Sequence, residues 1–197
     1  MKLVTFKDLS VKNFLSVGEE PVSVKFRSGM NIITGENHDK PDRRNGVGKS
    51  TLADAIHFAL FGDTIRELKK EHIVNNITQS GCEVVLEFVV NDTGVVDEYT
   101  IIRRLKPTKC FLLKNGDDIT RDSIANTTNF ISELINSTSD VFQSCVIMTV
   151  NNTTPFMAKK KIDKRKFIEG ILNLQVFSDM LTQVRSEHNN ISQEFDI

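Results

Sequence analysis

Cysteine is scarce in this 197-residue chain: Cys82, Cys110 and Cys145 are its three, and they lie far apart. An odd number without a C-x-x-C pair excludes a disulfide framework and fits a reducing cytosol. No grouping of His, Cys, Asp and Glu has the spacing of a zinc site. No apolar run approaches the length of a membrane span, and the opening MKLVTFKDLS has no signal-peptide core. Secretion and membrane insertion are therefore not expected. Internal repeats and low-complexity tracts are missing as well. Charge of one sign is also lacking, because 25 Lys and Arg against 26 Asp and Glu leave a net charge of −1. Without a global basic field, any contact with nucleic acid must come from a local patch. What remains, 39% hydrophobic and 26% charged residues, is ordinary for a soluble chain long enough to build one real core.

The informative stretch is residues 29–62, GMNIITGENHDKPDRRNGVGKSTLADAIHFALFG. A short apolar run, expected as a strand over 30–34, leads into a glycine-rich turn and then into an apolar-periodic helix over about 51–61. Between them, Asn45, Gly46, Val47, Gly48, Lys49, Ser50 and Thr51 have the composition of a phosphate-binding loop. Glycines let successive N–H groups turn onto phosphate oxygens, and the helix N-terminus adds partial positive charge. Lys49 would reach the β- and γ-phosphates and stabilise the charge developing on them, and the Ser50 hydroxyl would ligate Mg²⁺. The strict G-x-x-x-x-G-K-[ST] spacing fails, because Arg43 stands where its first glycine belongs. The nearest upstream glycine is Gly35, so His38 to Arg44 are read as most of a polar insertion in the loop's first half.

Alternation predicts strands over 3–12 and at Val22, Val24 and Phe26, then at Cys82–Val90, Asp97–Leu105 and Lys109–Lys114 with turns between them. Leu52, Ala55, Ile56, Ala59 and Leu60 share one face of the helix after the loop, with His57 a surface or packing residue. Arg66 to His72 form a charged helical turn. Arg103, Arg104 and Lys106 face solvent or DNA. A helix is expected over 122–136 and a strand at about 144–150. Val95-Val96-Asp97-Glu98 imitates an apolar run with an acidic end, but two apolar residues on a hairpin strand are too few. Lys159, Lys160, Lys161, Lys164, Arg165 and Lys166 make the best local cluster for DNA phosphates. A solvated helix start, or pairing with acidic residues elsewhere, explains them equally well. Phe177, Leu181, Val184, His188, Ile191 and Phe195, spaced 4-3-4-3-4, form a heptad seam or the face of a terminal amphipathic helix.

The segments KNFLSVGEEPVSVKFRSGMNIITGEN and NGVGKSTLADAIHFALFG resemble the N-terminal lobe of an SMC/SbcC-type ATPase head. Asn13-Phe14, Ser16, Asn45-Gly46, Gly48-Lys49-Ser50 and Leu60-Phe61-Gly62 fall where that family's pattern has them. Within the family the similarity is greatest to the phage recombination endonuclease subunits. The resemblance implies an α/β P-loop fold with a central phosphate-loop strand in a mixed sheet, an antiparallel sheet beside it, and a coiled coil beginning at the end. The lobe would span 1–175 and the coiled coil would begin over 176–197. ATP and Mg²⁺ are the implied ligands, with Ser16 near the nucleotide. A C-terminal lobe, a second head, an SbcD-type nuclease and double-stranded DNA are the implied partners, in the host cytoplasm. Two departures stand out. Leu15 replaces a frequent arginine, and Val150 replaces a glutamine that senses Mg²⁺ and water, for which Asn151 or Asn152 is a candidate substitute. The family's Asp-Glu element and second-nucleotide loop lie in the C-terminal lobe, so this chain alone would bind ATP weakly and hydrolyse little. An SMC-type DNA clamp without a nuclease, and a module with a disabled loop, remain the alternatives.

Overall fold

The computed structural model describes residues 2–38, 44, 46–147, 160–172 and 174–195, and it divides into two units, 1–136 and 137–197. Unit 1 is α/β. Its strands are β1 (Lys2–Lys12), β2 (Val22–Lys25), β3 (Cys82–Asp92), β4 (Val95–Leu105), β5 (Lys109–Lys114) and β6 (Asp117–Asp118). They form one sheet in the order β2-β1-β3-β4-β5-β6, antiparallel at every pairing. The turns follow from local chemistry. Asp92 pairs with Val95 across Thr93-Gly94, and Lys114 with Asp117 across Asn115-Gly116; all four loop residues have positive φ, the two-residue turn that suits strand twist. Alternation then gives the sheet one buried face, with Val84, Leu86, Phe88 and Val90 of β3 beside Tyr99, Ile101 and Leu105 of β4. Cys82 and Cys110 lie on that face too; burial pushes the Cys82 thiol up to about 12 and raises that of Cys110, so neither is a reactive thiolate.

Helices α1 (Lys49–Phe61), α2 (Lys70–Ile73) and α3 (Ile124–Ile135) complete the unit. The phosphate-loop helix α1 is buried over most of its circumference, at Thr51, Asp54, Ala55, His57, Phe58, Ala59 and Leu60. Phe14 packs on Phe58 with ring centroids 5.3 Å apart. The amphipathic pattern expected for α1 therefore understates its burial, and His57, fully buried, is a packing residue. Burial lowers the His57 pKa against the opposing pull of the Asp63 carbonyl, so the neutral ring donates Nδ1–H to that carbonyl at 2.7 Å.

Arg103 corrects a second expectation. Strand alternation turns it onto the buried face, where it is 5% exposed, while its neighbour Arg104 faces outward and pairs with Glu83. Its Nε donates to Ala59 O at 3.1 Å, and Nη2 to Leu60 O at 3.4 Å and Thr128 Oγ1 at 3.1 Å. A guanidinium thus meets the carbonyls that α1 cannot satisfy itself, at the negative end of its dipole. Burial pulls the Arg103 pKa down, yet an arginine stays charged. Gly62 ends α1 with φ +85°, and a Cβ there would stand 2.8 Å from Arg103 Nη1. Helix α3, capped by Ser123 Oγ accepting from Asn126 N–H, packs Ile131 and Leu134 into the same core.

The strand expected at 30–34 is not found, and the one expected at about 144–150 falls partly outside the described residues. Residues 31–37 carry no strand, and Met30 and Ile32 are 89% and 80% exposed. A strand needs a hydrogen-bonded neighbour, and none of the described strands pairs with this segment, so the sheet of the described residues is antiparallel throughout. Ser144 and Cys145, expected to begin a strand, close helix α4 (Ser139–Cys145) in unit 2. There Thr138 Oγ1 accepts from Val141 N–H and starts a helix. Unit 2 continues with α5 (Lys161–Ile171) and α6 (Gln175–Phe195). Gly170 of α5 admits Val141 of α4 so closely that a Cβ would lie 2.9 Å from it.

Replacing Arg103 by Ala should lower the unfolding free energy by about 3 kcal/mol, through orphaned helix carbonyls and lost packing. Arg103→Lys should recover only part of it, because an ammonium cannot span both carbonyls. Urea denaturation measures both, and a fully stable lysine variant would contradict the capping role.

Candidate nucleotide site

The site is built where the turn after β1 meets the start of α1. Asn13 and Leu15 adopt left-handed φ of 49° each, which turns the chain sharply and presents Ser16. That turn is latched to residues 73–75. Leu15 N–H donates to Ile73 O at 2.8 Å, Asn75 N–H donates to Asn13 O at 2.9 Å, and Asn75 Nδ2 donates to Leu15 O at 2.9 Å. Ser16 Oγ then lies 2.8 Å from Thr51 Oγ1, in the first turn of α1. A side chain–side chain hydrogen bond thus ties the Asn-Phe-x-Ser segment to the phosphate loop.

The loop itself has the geometry its residue types suggest. Gly46 and Gly48 have φ of +82° and +83°, and Gly48 is the N-cap of α1 with no side-chain cap. The first N–H groups of α1 therefore have donors to spare at the positive end of a 13-residue helix. A Cβ on Gly48 would lie 2.8 Å from Ser16 Oγ, so glycine is needed there for space as well as for φ. Lys49 and Ser50 are exposed, and Lys49 Nζ donates to the Arg44 carbonyl. An ammonium resting on its own loop's backbone is available to an anion that binds there. This donor set fits a phosphate chain with Mg²⁺: backbone N–H groups, one lysine, and hydroxyls at Ser50 and Thr51. Among the described residues no group of three His, Cys, Asp or Glu side chains stands ready to hold a metal.

Two clefts adjoin the Ser16–Thr51 bond. One, of about 510 Å³, is lined by Gly46, Val47, Gly48 and Lys49 with Ser16 and Thr34. The other, of about 650 Å³, is lined by Ser16 and Thr51 with Leu15, Arg66, Val74 and Asn75 among others. The first sets the loop's glycines and Lys49 beside apolar Val17, Val22, Val24, Ile33 and Leu52; the second is a larger, carboxamide-lined recess. Arg66, Asn75 and the latch at 73–75 were missed from sequence, where this segment looked like a solvated charged turn. The available signal was Asp54, a carboxylate on an otherwise apolar helix, which demands a cationic partner when buried.

The chain matches the family described as AAA domain over residues 8–196. It belongs to that family. It is 29% identical to "Exonuclease subunit 2" of Escherichia phage RB69, covering 100% of this chain and 34% of that protein. Against "Exonuclease subunit 2" of Enterobacteria phage T4 the figures are 28%, 91% and 30%. The "DNA double-strand break repair Rad50 ATPase" of Thermoplasma volcanium is 28% identical over 84% of this chain and 17% of its own length. The AAA chain thus spans about a third of the length of the curated phage relatives it matches. Its fold is shared with the Smc head domain of Pyrococcus furiosus, solved with an extended coiled coil and bound to the C-terminal domain of ScpA. That match has a TM-score of 0.60 at 18% identity and covers 97% of this chain and 48% of that one. Family, relatives and fold together identify this AAA chain as an N-terminal lobe of the SMC/SbcC type.

Asn45, Lys159, Val150, Asn151, Asn152 and the Lys166 side chain lie outside the described residues. Lys160, Lys161 and Arg165 are exposed and Lys164 is half-buried, but Arg165 is already engaged by Glu169 at 2.6 Å, one helical turn on.

The loop geometry makes a sharp prediction. Gly46→Ala, with open space around its Cβ but positive φ, should cost about 1 kcal/mol. Gly48→Ala adds the clash with Ser16 Oγ and should cost about twice that. Equal urea midpoints for the two variants would show that Ser16 does not constrain the loop.

Proposed function

We propose that this lobe binds ATP with Mg²⁺ at Gly46–Thr51 and acts within a two-lobed ATPase head that handles DNA ends. The observation that carries the reading is the joined arrangement of Gly48, Ser16 and Thr51 at the uncapped N-terminus of α1. Bound Mg²⁺ would neutralise charge on the β- and γ-phosphates. Lys49 would leave the Arg44 carbonyl for those phosphates, backbone N–H groups of 46–50 would cradle them, and Ser50 would hold the metal. Thr51 and Ser16 mark the end of the phosphate site, so the ribose and base would extend into the larger cleft beyond.

Several features support the partners. Exposed Met30 and Ile32, with Val22 exposed on the edge strand β2, suit completion of the sheet by a C-terminal lobe. On α6, Phe177, Leu181, Val184 and Ile191 form an exposed apolar stripe spaced for a second helix, as expected of a coiled coil beginning within 176–197. The lobe proper would then end near residue 175. A second head, an SbcD-type nuclease and double-stranded DNA follow from kinship with proteins named as exonuclease subunits and as a double-strand break repair ATPase. Lys160, Lys161 and Lys164 are the proposed DNA-phosphate contacts, joined by Lys159, Arg165 and Lys166. The working place would be the cytoplasm of a phage-infected cell. Hydrolysis is proposed to await the second lobe and second head. Glu20, which lines the phosphate cleft, sits on an exposed turn.

Calorimetric titration of the 197-residue chain should show Mg-ATP binding, and Lys49→Ala should weaken it at least about 30-fold, or about 2 kcal/mol. An unchanged Lys49→Ala variant would refute the site, and turnover by the lone chain near that of an intact relative would refute the need for a second lobe.

A further inference from the structure

The buried guanidinium of Arg103 has no counter-ion. Its residue is 5% exposed, yet among the described residues no carboxylate pairs with it. Nε and Nη2 are spent on Ala59 O, Leu60 O and Thr128 Oγ1, all neutral acceptors, and Nη1 makes no hydrogen bond. Nor is Nη1 sealed in the core: it reaches the wall of a cleft of about 420 Å³ at the C-terminal end of α1. A buried charge is ordinarily neutralised by an opposite one beside it. This one is left open on the side that faces the cleft.

The rest of the cleft suits an anion carried on an apolar stem. Phe58, Phe61, Leu105 and Ile124 supply apolar wall, and exposed Lys70 and Lys109 line it without ion-pair partners among the described residues. Arg104 lines it too, already paired with Glu83. Asp63, exposed, is its one carboxylate, and these cations outnumber it. Ser123 takes the N–H groups of Asn126 and Thr127, so those of Ile124 and Ala125, at the positive end of α3, have no acceptor. Past Lys109 and Ile124 a shallower cleft of about 260 Å³ follows, with Arg121 at its wall.

We propose that this cleft docks an acidic peptide segment of a partner protein, with one carboxylate seated on Arg103 Nη1 and an adjacent apolar side chain against Phe58 and Phe61. Charge complementarity selects the class of occupant. A carboxylate on a flexible side chain can follow apolar walls to a guanidinium and form charge-assisted bonds there. A phosphate fixed on a broad DNA duplex meets Lys70 and Lys109 at the rim and stops short of Arg103. The cleft lies at the opposite end of α1 from Gly46–Thr51, so this docking is independent of the nucleotide reading.

The test titrates the isotope-labelled 197-residue chain with the end-blocked peptide Gly-Asp-Glu-Phe-Asp-Gly and its neutral counterpart Gly-Asn-Gln-Phe-Asn-Gly, following backbone amides by NMR. The acidic peptide should bind with a Kd below about 1 mM, at least about tenfold tighter than the neutral one, with shifts concentrated at residues 61–63, 103–105 and 124–128. Lys109→Glu, at an exposed position, should weaken it at least about fivefold. Ala125→Phe, which narrows the cleft from the exposed face of α3, should abolish binding. Arg103→Lys should bring the two peptides within about threefold of each other, with thermal melts to confirm folding. If that variant does not fold, the two surface variants decide. Equal binding of the two peptides, no binding at about 5 mM, or shifts away from the cleft would overturn the proposal. So would a short DNA duplex that shifts the cleft residues while the acidic peptide does not.

Discussion

Helix α1 is held at both ends, and the rest of unit 1 is arranged around that constraint. At its C-terminus the buried Arg103 guanidinium takes the carbonyls of Ala59 and Leu60 and ties them to Thr128 of α3. At its N-terminus the Ser16–Thr51 hydrogen bond joins it to the turn after β1. Between these clamps the helix is buried against the sheet through Phe58 and its neighbours. A helix so held cannot slide or rotate without breaking polar bonds in a low-dielectric core, where each broken partner costs about 1–3 kcal/mol. Its unsatisfied N–H groups therefore point at a fixed place. That rigidity gives the N–H groups of Gly48 to Thr51 a fixed direction.

The same helix explains why the site is only half a machine in this reading. The groups that bind phosphate come from one loop and one helix end, and all lie in unit 1. Among the described residues, Glu20, exposed, is the one carboxylate that lines the phosphate cleft. The bare apolar stretch at Met30 and Ile32 and the exposed stripe on α6 are surfaces that water disfavours. Each is suited to packing against a further apolar surface.

Much of this was legible in the sequence because local rules and tertiary structure agree. Thr93-Gly94 and Asn115-Gly116 specify their turns, alternation along β3 to β5 specifies a buried face, and Gly46 to Thr51 specify the loop. The failures have physical causes. Arg103 looked solvent-facing because a charge is normally exposed; only the position of the α1 carbonyls explains its burial. The run at 30–34 has a strand's composition, but strand formation requires partners, and composition cannot say whether they are present. Ser144 and Cys145 sat in an apolar run too short to tell helix from strand, and the Thr138 cap decided for helix. Arg66 and Asn75 act through contacts with residues 12 and 60 positions away, which no local pattern encodes.

Amide hydrogen exchange across the whole chain, with and without Mg-ATP, tests the central claim most directly. If nucleotide binds at the clamped N-terminus of α1, added protection should concentrate at residues 46–51 and at the latched turn, residues 13–16 and 73–76. The sheet core and the Arg103 end of α1 should be unchanged. Protection confined to the C-terminal end of α1, or none anywhere at saturating ligand, would contradict the account.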